Sequence, residues 1–175
     1  MVSTRLVTPD DAPILAELLQ VNRDFLAPWE PSRPDSYFTV AGQRSDIQDA
    51  LDRHAFGMTL PHVILDESGQ VVGGIALNGI VRGSVQSCHV GYWVAAAHNG
   101  RGVATAAVRE IKRVAFEELG LHRIQADILL HNHRSQRVLE RNGFVRIGMA
   151  PSYLRIAGRW QDHLLFQALN TAAED

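Results

Sequence analysis

Residues His98, Asn99, Gly100, Arg101, Gly102, Val103, Ala104 and Thr105 form a glycine-bearing loop that runs straight into an amphipathic helix, which is the chemistry of a phosphate cradle. The apolar, aromatic run just before it, 90–94, reads as a strand, so the order is strand, tight loop, helix N-terminus. Glycine lets the backbone pass close to a ligand, and the first turn of a helix presents N–H groups without intrahelical partners. Those donors and the positive end of the helix dipole favour a phosphate or pyrophosphate, and Arg101 adds a full charge beside them.

Spacing decides between phosphate ligands. A P-loop needs Gly, four residues and then Gly-Lys-Ser/Thr, and the chain has no such run. A dinucleotide fingerprint needs glycine where Thr105 stands, although Asp127 falls near the place of its acidic residue. What the loop does present is polar-x-x-Gly-x-Ala, as Asn99, Gly102 and Ala104. A second polar segment follows about thirty residues on: Asn132-x-x-Ser135-x-x-Val138-Leu139-Glu140-Arg141-x-Gly143-Phe144.

The elements that must hold these segments can be read from periodicity. A short strand over 5–7 leads into a helix that starts near 10–12, where Thr8, Pro9 and two aspartates offer cap chemistry and Ile14, Leu15, Leu18 and Leu19 repeat at helical spacing. Three prolines within 26–34 predict an irregular loop. A second helix over 45–54 precedes a hairpin of strands 63–65 and 71–77, and another strand runs over 89–94. The long helix 103–119, stopped by Gly120, joins it to a strand over 123–130; a helical crossover makes those two strands parallel. A short helix over 135–141 ends at Asn142-Gly143, and strands 151–156 and 160–169 turn through Ala157-Gly158. The expectation is an α/β chain of the α+β type with a mixed sheet between helices.

The chain has 175 residues, 46% of them hydrophobic, which suits one domain with one sizeable core over 1–175. Its 17 basic and 19 acidic residues are interspersed, so no polybasic block offers itself to nucleic acid or to a membrane. The single cysteine, Cys88, forms no intrachain disulfide, and no apolar run approaches a signal h-region or a membrane span; both point to the cytoplasm.

Taken together, the Asn99-x-x-Gly102-x-Ala104 loop and the Asn132 segment resemble the GNAT superfamily, the acyl-CoA-dependent N-acetyltransferases, with Asn99 standing where Gln or Arg is usual. Segments 25–31, 81–84, 90–93, 121–124 and 158–163 extend the resemblance over nearly the whole chain, to the RimJ/RimL group of ribosomal-protein-alanine N-acetyltransferases, and more closely to its RimJ side. The resemblance implies the GNAT fold: a mixed, mostly antiparallel sheet of about six to seven strands, a splayed parallel pair at its centre, and about four flanking helices. It also implies acetyl-CoA as co-substrate, with pantetheine paired to backbone at Trp93 and Val94, pyrophosphate on Gly100 to Thr105, and Asn132 touching the pantetheine. The acceptor it implies is a primary amine, typically the N-terminal alanine of a ribosomal protein, without nucleic acid or membrane; a homodimer is left open.

The chemistry narrows the remaining roles. An α-amino group, with a pKa of about 7.7 to 8.0, is partly neutral at pH 7, so what is needed is proton removal, donors to the carbonyl oxygen and a proton for the thiolate. Many members of the resembled family protonate the thiolate with a tyrosine where this chain has Leu139. Ser135 can hydrogen-bond the sulfur instead, or serve only as a helix cap. Glu30, on an irregular loop, either binds or deprotonates the amine or is a solvated glutamate. His89 shares a strand face with Gly91 and Trp93 and is either a base in the channel or a packed histidine. Trp29, Tyr37, Asn78 and Tyr153 are candidates to line the channel, with core or hairpin packing the readier reading of Tyr153.

Other readings weigh less. His131-x-His133 lacks a second ligand pair for zinc, so no metal is expected; no Gly-x-Ser-x-Gly elbow supports a hydrolase; and the tryptophans have no basic groove in which to stack bases. Two alternatives stay open: acetylation of a small amine or antibiotic, and a non-catalytic acyl-CoA-binding module.

Overall fold

Seven strands, β1 (Ser3–Leu6), β2 (Leu60–Leu65), β3 (Val71–Val81), β4 (Ser87–Val94), β5 (Arg123–Leu129), β6 (Val145–Ile156) and β7 (Arg159–Leu169), form one sheet in the order β1-β2-β3-β4-β5-β7-β6 in the computed structural model, which describes residues 1–173. Every neighbouring pair is antiparallel except β4 and β5, which are parallel as the long helical crossover between them requires. The helices are α1 (Ala12–Val21), α2 (Arg23–Leu26), α3 (Val40–Ala55), α4 (Val103–Arg113) and α5 (His133–Arg141).

Side-chain alternation divides the core into two layers. On one face α4 lays Val103, Ala107, Val108 and Ile111 onto Cys88, Val90, Ile124, Ala126 and Phe166, with Leu139 of α5 closing the edge. On the other, α1 and α3 bring Ala12, Leu15 and Ile47 against Val7 and Val63, covering the β1 to β3 end of the sheet. His89 and Gly91 of β4 stay exposed beyond that cover.

Strands β2 and β3 run longer than 63–65 and 71–77, and four further departures from the sequence expectation have a local cause. Helix α3 starts at Val40 instead of 45 because the Thr39 hydroxyl accepts a hydrogen bond from the Gly42 N–H at 3.0 Å, a cap that offsets the weak helix propensity of Gly42. The proline-rich loop is partly helical: α2 runs directly into a 3₁₀ turn at Ala27–Trp29, with Pro28 fitting the first turn. Helix α4 gives way to a π turn over Val114–Glu118 before Gly120, at φ 63°, ends it. Strand β6 begins at Val145, well before 151, and as the edge strand it accommodates Pro151 within an irregular stretch between Ala150 and Leu154.

Candidate active site

Strands β4 and β5 are paired only through Ser87↔Arg123, Cys88↔Ile124 and His89↔Gln125, although both continue for several residues. Beyond His89 they part, while β4 stays bonded to β3 as far as Gly73↔Val94 and β5 to β7 as far as Leu129↔His163. The inner edges of this fork therefore carry backbone groups without strand partners, and such groups take water or an extended ligand. Trp93 and Val94 lie on that open edge; the Trp93 indole reaches β3, where a Cβ on Gly74 would stand 2.8 Å from its Nε1, so only glycine leaves room for the ring.

Alternation along β4 sends Cys88, Val90, Tyr92 and Val94 towards α4 and α5, and His89, Gly91 and Trp93 to the opposite face. On the helix side, the Tyr92 hydroxyl lies 2.5 Å from Ser135 Oγ. Burial pushes the Tyr92 phenol up to about 12, against the opposing hydrogen bond with Ser135, so it stays protonated. The capping role left open to Ser135 belongs to Asn132, whose Oδ1 accepts from the Ser135 N–H at 3.2 Å. That frees the Ser135 hydroxyl for Tyr92. Leu139 is wholly buried in the core and offers nothing polar.

On the opposite face, His89 Nδ1 lies 3.2 Å from Asp127 Oδ2, with the imidazole 46% exposed and the carboxylate 9%. Gln125 Nε2 donates to Asp127 Oδ1 at 2.7 Å, and Arg123 Nη2 donates to Gln125 Oε1 at 2.6 Å. Burial raises the Asp127 carboxyl, but the His89 and Gln125 donors and the charges of His89 and His163 outweigh it, so the group sits below the ordinary carboxylate range. Asn78 lies opposite His89 in the β3–β4 register, where β3 departs from regular pairing, and its Oδ1 accepts from Thr59. Tyr153 faces Gln125 and Asp127 and meets the His163 ring edge-on at 5.9 Å.

The candidate phosphate loop has the backbone its glycines require. Gly100 and Gly102 have φ of 76° and 77°, and Gly102 is the N-cap of α4, a left-handed position in which most side chains are strained. Asn99 braces the loop, donating to the carbonyls of Val94 and Ala95 at 3.3 Å each, and Asn22 accepts from the Ala96 N–H at 2.8 Å. Val103 is turned into the core, so what it brings to the loop is backbone, as at the first turn of Ala104 and Thr105; Arg101 is exposed. Asn142 clamps α4 to α5 through the Thr105 and Val138 carbonyls, and Lys112 Nζ donates to the Asn142 carbonyl at 2.6 Å.

A third group sits above the fork. The Trp29 ring lies 5.2 Å from that of His131, and the Glu30 carbonyl accepts from the Ala157 N–H, tying the 27–33 loop to the β6–β7 hairpin. Glu30 lines a cavity of about 320 Å³ with Leu19, Arg23, Arg33, Phe38 and Ala157, and Tyr37 lies close to its carboxylate and to Arg33. Burial raises the Glu30 carboxyl, partly countered by Arg33. That cavity includes neither His89 nor Ser135, so the three candidate catalytic residues fall into three places: His89 on the open face, Ser135 on the helix face, and Glu30 in the loop.

Sequence reasoning missed Asp127 and Gln125 as partners of His89 and Tyr92 as partner of Ser135. One signal was present: β5 alternates Arg123, Gln125 and Asp127 with Ile124, Ala126 and Ile128, whereas a strand covered on both faces reads apolar throughout.

Residues 3–145 match the family model described as acetyltransferase (GNAT) domain. "Probable N-acetyltransferase YjcK" of Bacillus subtilis is 38% identical over 155 residues, covering 85% of this chain and 83% of its own. The [ribosomal protein uS5]-alanine N-acetyltransferase of Escherichia coli is 36% identical over 166 residues, 92% of this chain and 84% of its own. Among solved structures, Mycobacterium smegmatis RimJ in complex with CoA-disulfide superposes with a TM-score of 0.94 at 30% identity, covering 99% of this chain and 84% of the other.

Proposed function

The chain belongs to the GNAT acetyltransferase family and is an N-acetyltransferase, and we propose that its acceptor is the α-amino group of a protein N-terminus, of the ribosomal-protein-alanine kind. The observation that carries the proposal is the open face at the fork. Its floor is His89, Gly91 and Asn78, and the Asp127 carboxylate there lies beside His89 and takes the Gln125 amide. A polycation would want free carboxylates; a peptide N-terminus wants a broad groove and one proton acceptor. His131, whose ring lies 5.2 Å from that of Trp29, borders a hollow of about 310 Å³ with Leu130, Arg159, Trp160 and Asp162, room for residues after the first. The named activity of the Escherichia coli relative on a ribosomal-protein alanine supports the same acceptor, and with it a cytoplasmic site of action.

Acetyl-CoA is the co-substrate in this reading, and the residues present fit it. The open β4 edge at Trp93 and Val94 and the Asn132 amide, whose nitrogen has no partner among the described residues, suit the pantetheine; the left-handed glycines, Arg101 and the α4 N-terminus suit the pyrophosphate. When bound, it supplies the thioester that is attacked. His89 takes the amine proton on the open face, Ser135 with the Tyr92 hydroxyl offers a proton to sulfur on the helix face, and Glu30 binds the acceptor's backbone in the separate cavity by the loop.

Glu30 has opposite effects on stability and activity. Its folded-state carboxyl is held above its ordinary value, so the favourable contribution of the protonated form is complete at low pH and is lost as pH rises through the folded value. At pH 7 the ionised group destabilises, and Glu30→Gln is expected to raise Tm by about 1 to 3 °C at pH 7, with the gap closing near pH 4. The same variant is expected to raise KM for the peptide about fivefold, the loss of one charge-assisted hydrogen bond.

Thiol release from acetyl-CoA tests the acceptor, with short peptides beginning Ala, Ser or Met run beside spermidine and an aminoglycoside. Turnover with the peptides alone is the expected result. Turnover confined to spermidine or drug would replace the proposal with a small-amine acetyltransferase.

A further inference from the structure

The row Arg123, Gln125, Asp127 ends on the imidazole at the fork, and we propose that Asp127 is a positioning residue that holds His89 with its proton on Nδ1 and Nε2 bare towards the acceptor amine. This rests on the reading of His89 as the proton acceptor and adds what makes it directional.

Three observations carry it. First, register: His89↔Gln125 is the last rung of the parallel pair, so His89 stands where β4 and β5 begin to part, and Asp127 is the next residue of β5 on the same face. Second, Asp127 is itself held. Its Oδ1 takes the Gln125 amide at 2.7 Å, Gln125 Oε1 takes the Arg123 guanidinium at 2.6 Å, and the remaining oxygen, Oδ2, faces His89 Nδ1 at 3.2 Å. The side chains of Gln125 and Arg123 thus leave one carboxylate oxygen for the imidazole. Third, exposure is graded along the row: Asp127 is 9% exposed and the imidazole 46%, so a buried anion sits behind a ring whose far side reaches solvent. The 3.2 Å contact lies at the long end of the N–H···O hydrogen-bond range.

The consequence is chemical. The amine nitrogen lone pair forms the N–C bond to the acetyl carbonyl carbon, the C–S bond breaks with its electron pair on sulfur, and the N–H proton passes to His89 Nε2. The imidazolium so formed carries its charge next to the Asp127 carboxylate and then returns the proton to solvent. Without the carboxylate the ring is free to place its proton on Nε2, where it blocks the amine instead of accepting from it. The other titratable groups about this row are Arg123 on β5, Tyr153 on β6 and His163 on β7. His163 is buried, and its Nδ1 lies 2.9 Å from the Gln161 carbonyl.

The test is Asp127→Asn, which keeps the shape and puts an amide where the carboxylate was. Histidine-selective nitrogen NMR of the free protein, with His89→Gln to assign the resonance, is expected to show the proton on Nδ1 in the native chain and on Nε2 in the variant. The variant's kcat/KM for peptide is expected to fall about 10- to 100-fold, with the affinity for CoA changed less than about twofold. Gln125→Met, which leaves the carboxylate but removes its donor, is expected to lose about three- to tenfold and covers the case in which Asp127→Asn fails to fold. An unchanged tautomer, or activity within twofold of native in both variants, would overturn the role of Asp127. If His89→Gln also keeps full activity, the base reading falls with it; if His89→Gln is crippled while the Asp127 and Gln125 variants are not, only the positioning role falls.

Discussion

His89→Gln is expected to lower kcat for peptide acetylation about 100-fold while leaving KM for acetyl-CoA within about twofold. Glutamine preserves size and polarity but accepts no proton at neutral pH. The loss should stand at the lower end of the general-base range, because an α-amine of pKa about 7.7 to 8.0 is already partly neutral and needs its proton removed only as the N–C bond forms. Steady-state kinetics at pH 7 and pH 9 check this: the deficit should shrink at the higher pH, where hydroxide and a fully neutral amine compensate. A kcat within threefold of native would show that solvent takes the proton unaided. Ser135→Ala is expected to cost less, about three- to tenfold, since a thiol with a pKa near 8.5 leaves readily as thiolate and gains only modestly from the Tyr92–Ser135 hydroxyl pair. The two faces of the fork are thus expected to differ in weight, the loss of the proton acceptor costing more than the loss of the proton donor.

Gly102→Asp is expected to weaken CoA binding about 30- to 100-fold, and Gly102→Asn about fivefold or less. Both residues tolerate the left-handed backbone at φ 77°, and a Cβ there meets nothing within 4 Å, so strain and crowding are shared between the two. What differs is the charge, placed at the N-terminus of α4 beside Arg101. A like charge about 4 Å from a phosphate is worth about 4 kcal/mol at an effective dielectric of 20, and exposure and salt reduce it to the expected range. Calorimetric titration of CoA at two salt concentrations measures both variants, and the gap between them should narrow at the higher salt. Equal weakening in both would assign the loss to backbone strain and remove the pyrophosphate from this loop.

The loop, the parallel crossover and the hairpin at Ala157-Gly158 were legible in sequence because each is forced by one or two residues of special backbone geometry: Gly100 and Gly102 at positive φ, a helix between two strands, and Ala157 and Gly158 at φ 50° and 79°. Whatever depends on register was not. Asp127 is separated from His89 by the whole of α4, and nothing in the spacing says that the pairing stops at His89↔Gln125. The Tyr92–Ser135 contact is hidden in the same way, since it joins a strand to a helix on the far side of the crossover. The first half of edge strand β6, before 151, escaped because most of its residues are exposed, so it shows little of the apolar alternation that marks a half-buried strand. The π turn after Arg113 left no sequence mark, because its residues continue the apolar face of α4 into the core at Val114 and Ala115.

One peptide settles the acceptor most directly: an Ala-first sequence with a free α-amine and an internal lysine, incubated with the protein and acetyl-CoA, and read by tandem mass spectrometry for the nitrogen that carries the acetyl group. Acetyl on the α-nitrogen alone is the result the open groove and the His89 site predict. Acetyl on the lysine side chain, or a peptide left unmodified while a small amine is consumed, would contradict an N-terminal acetyltransferase.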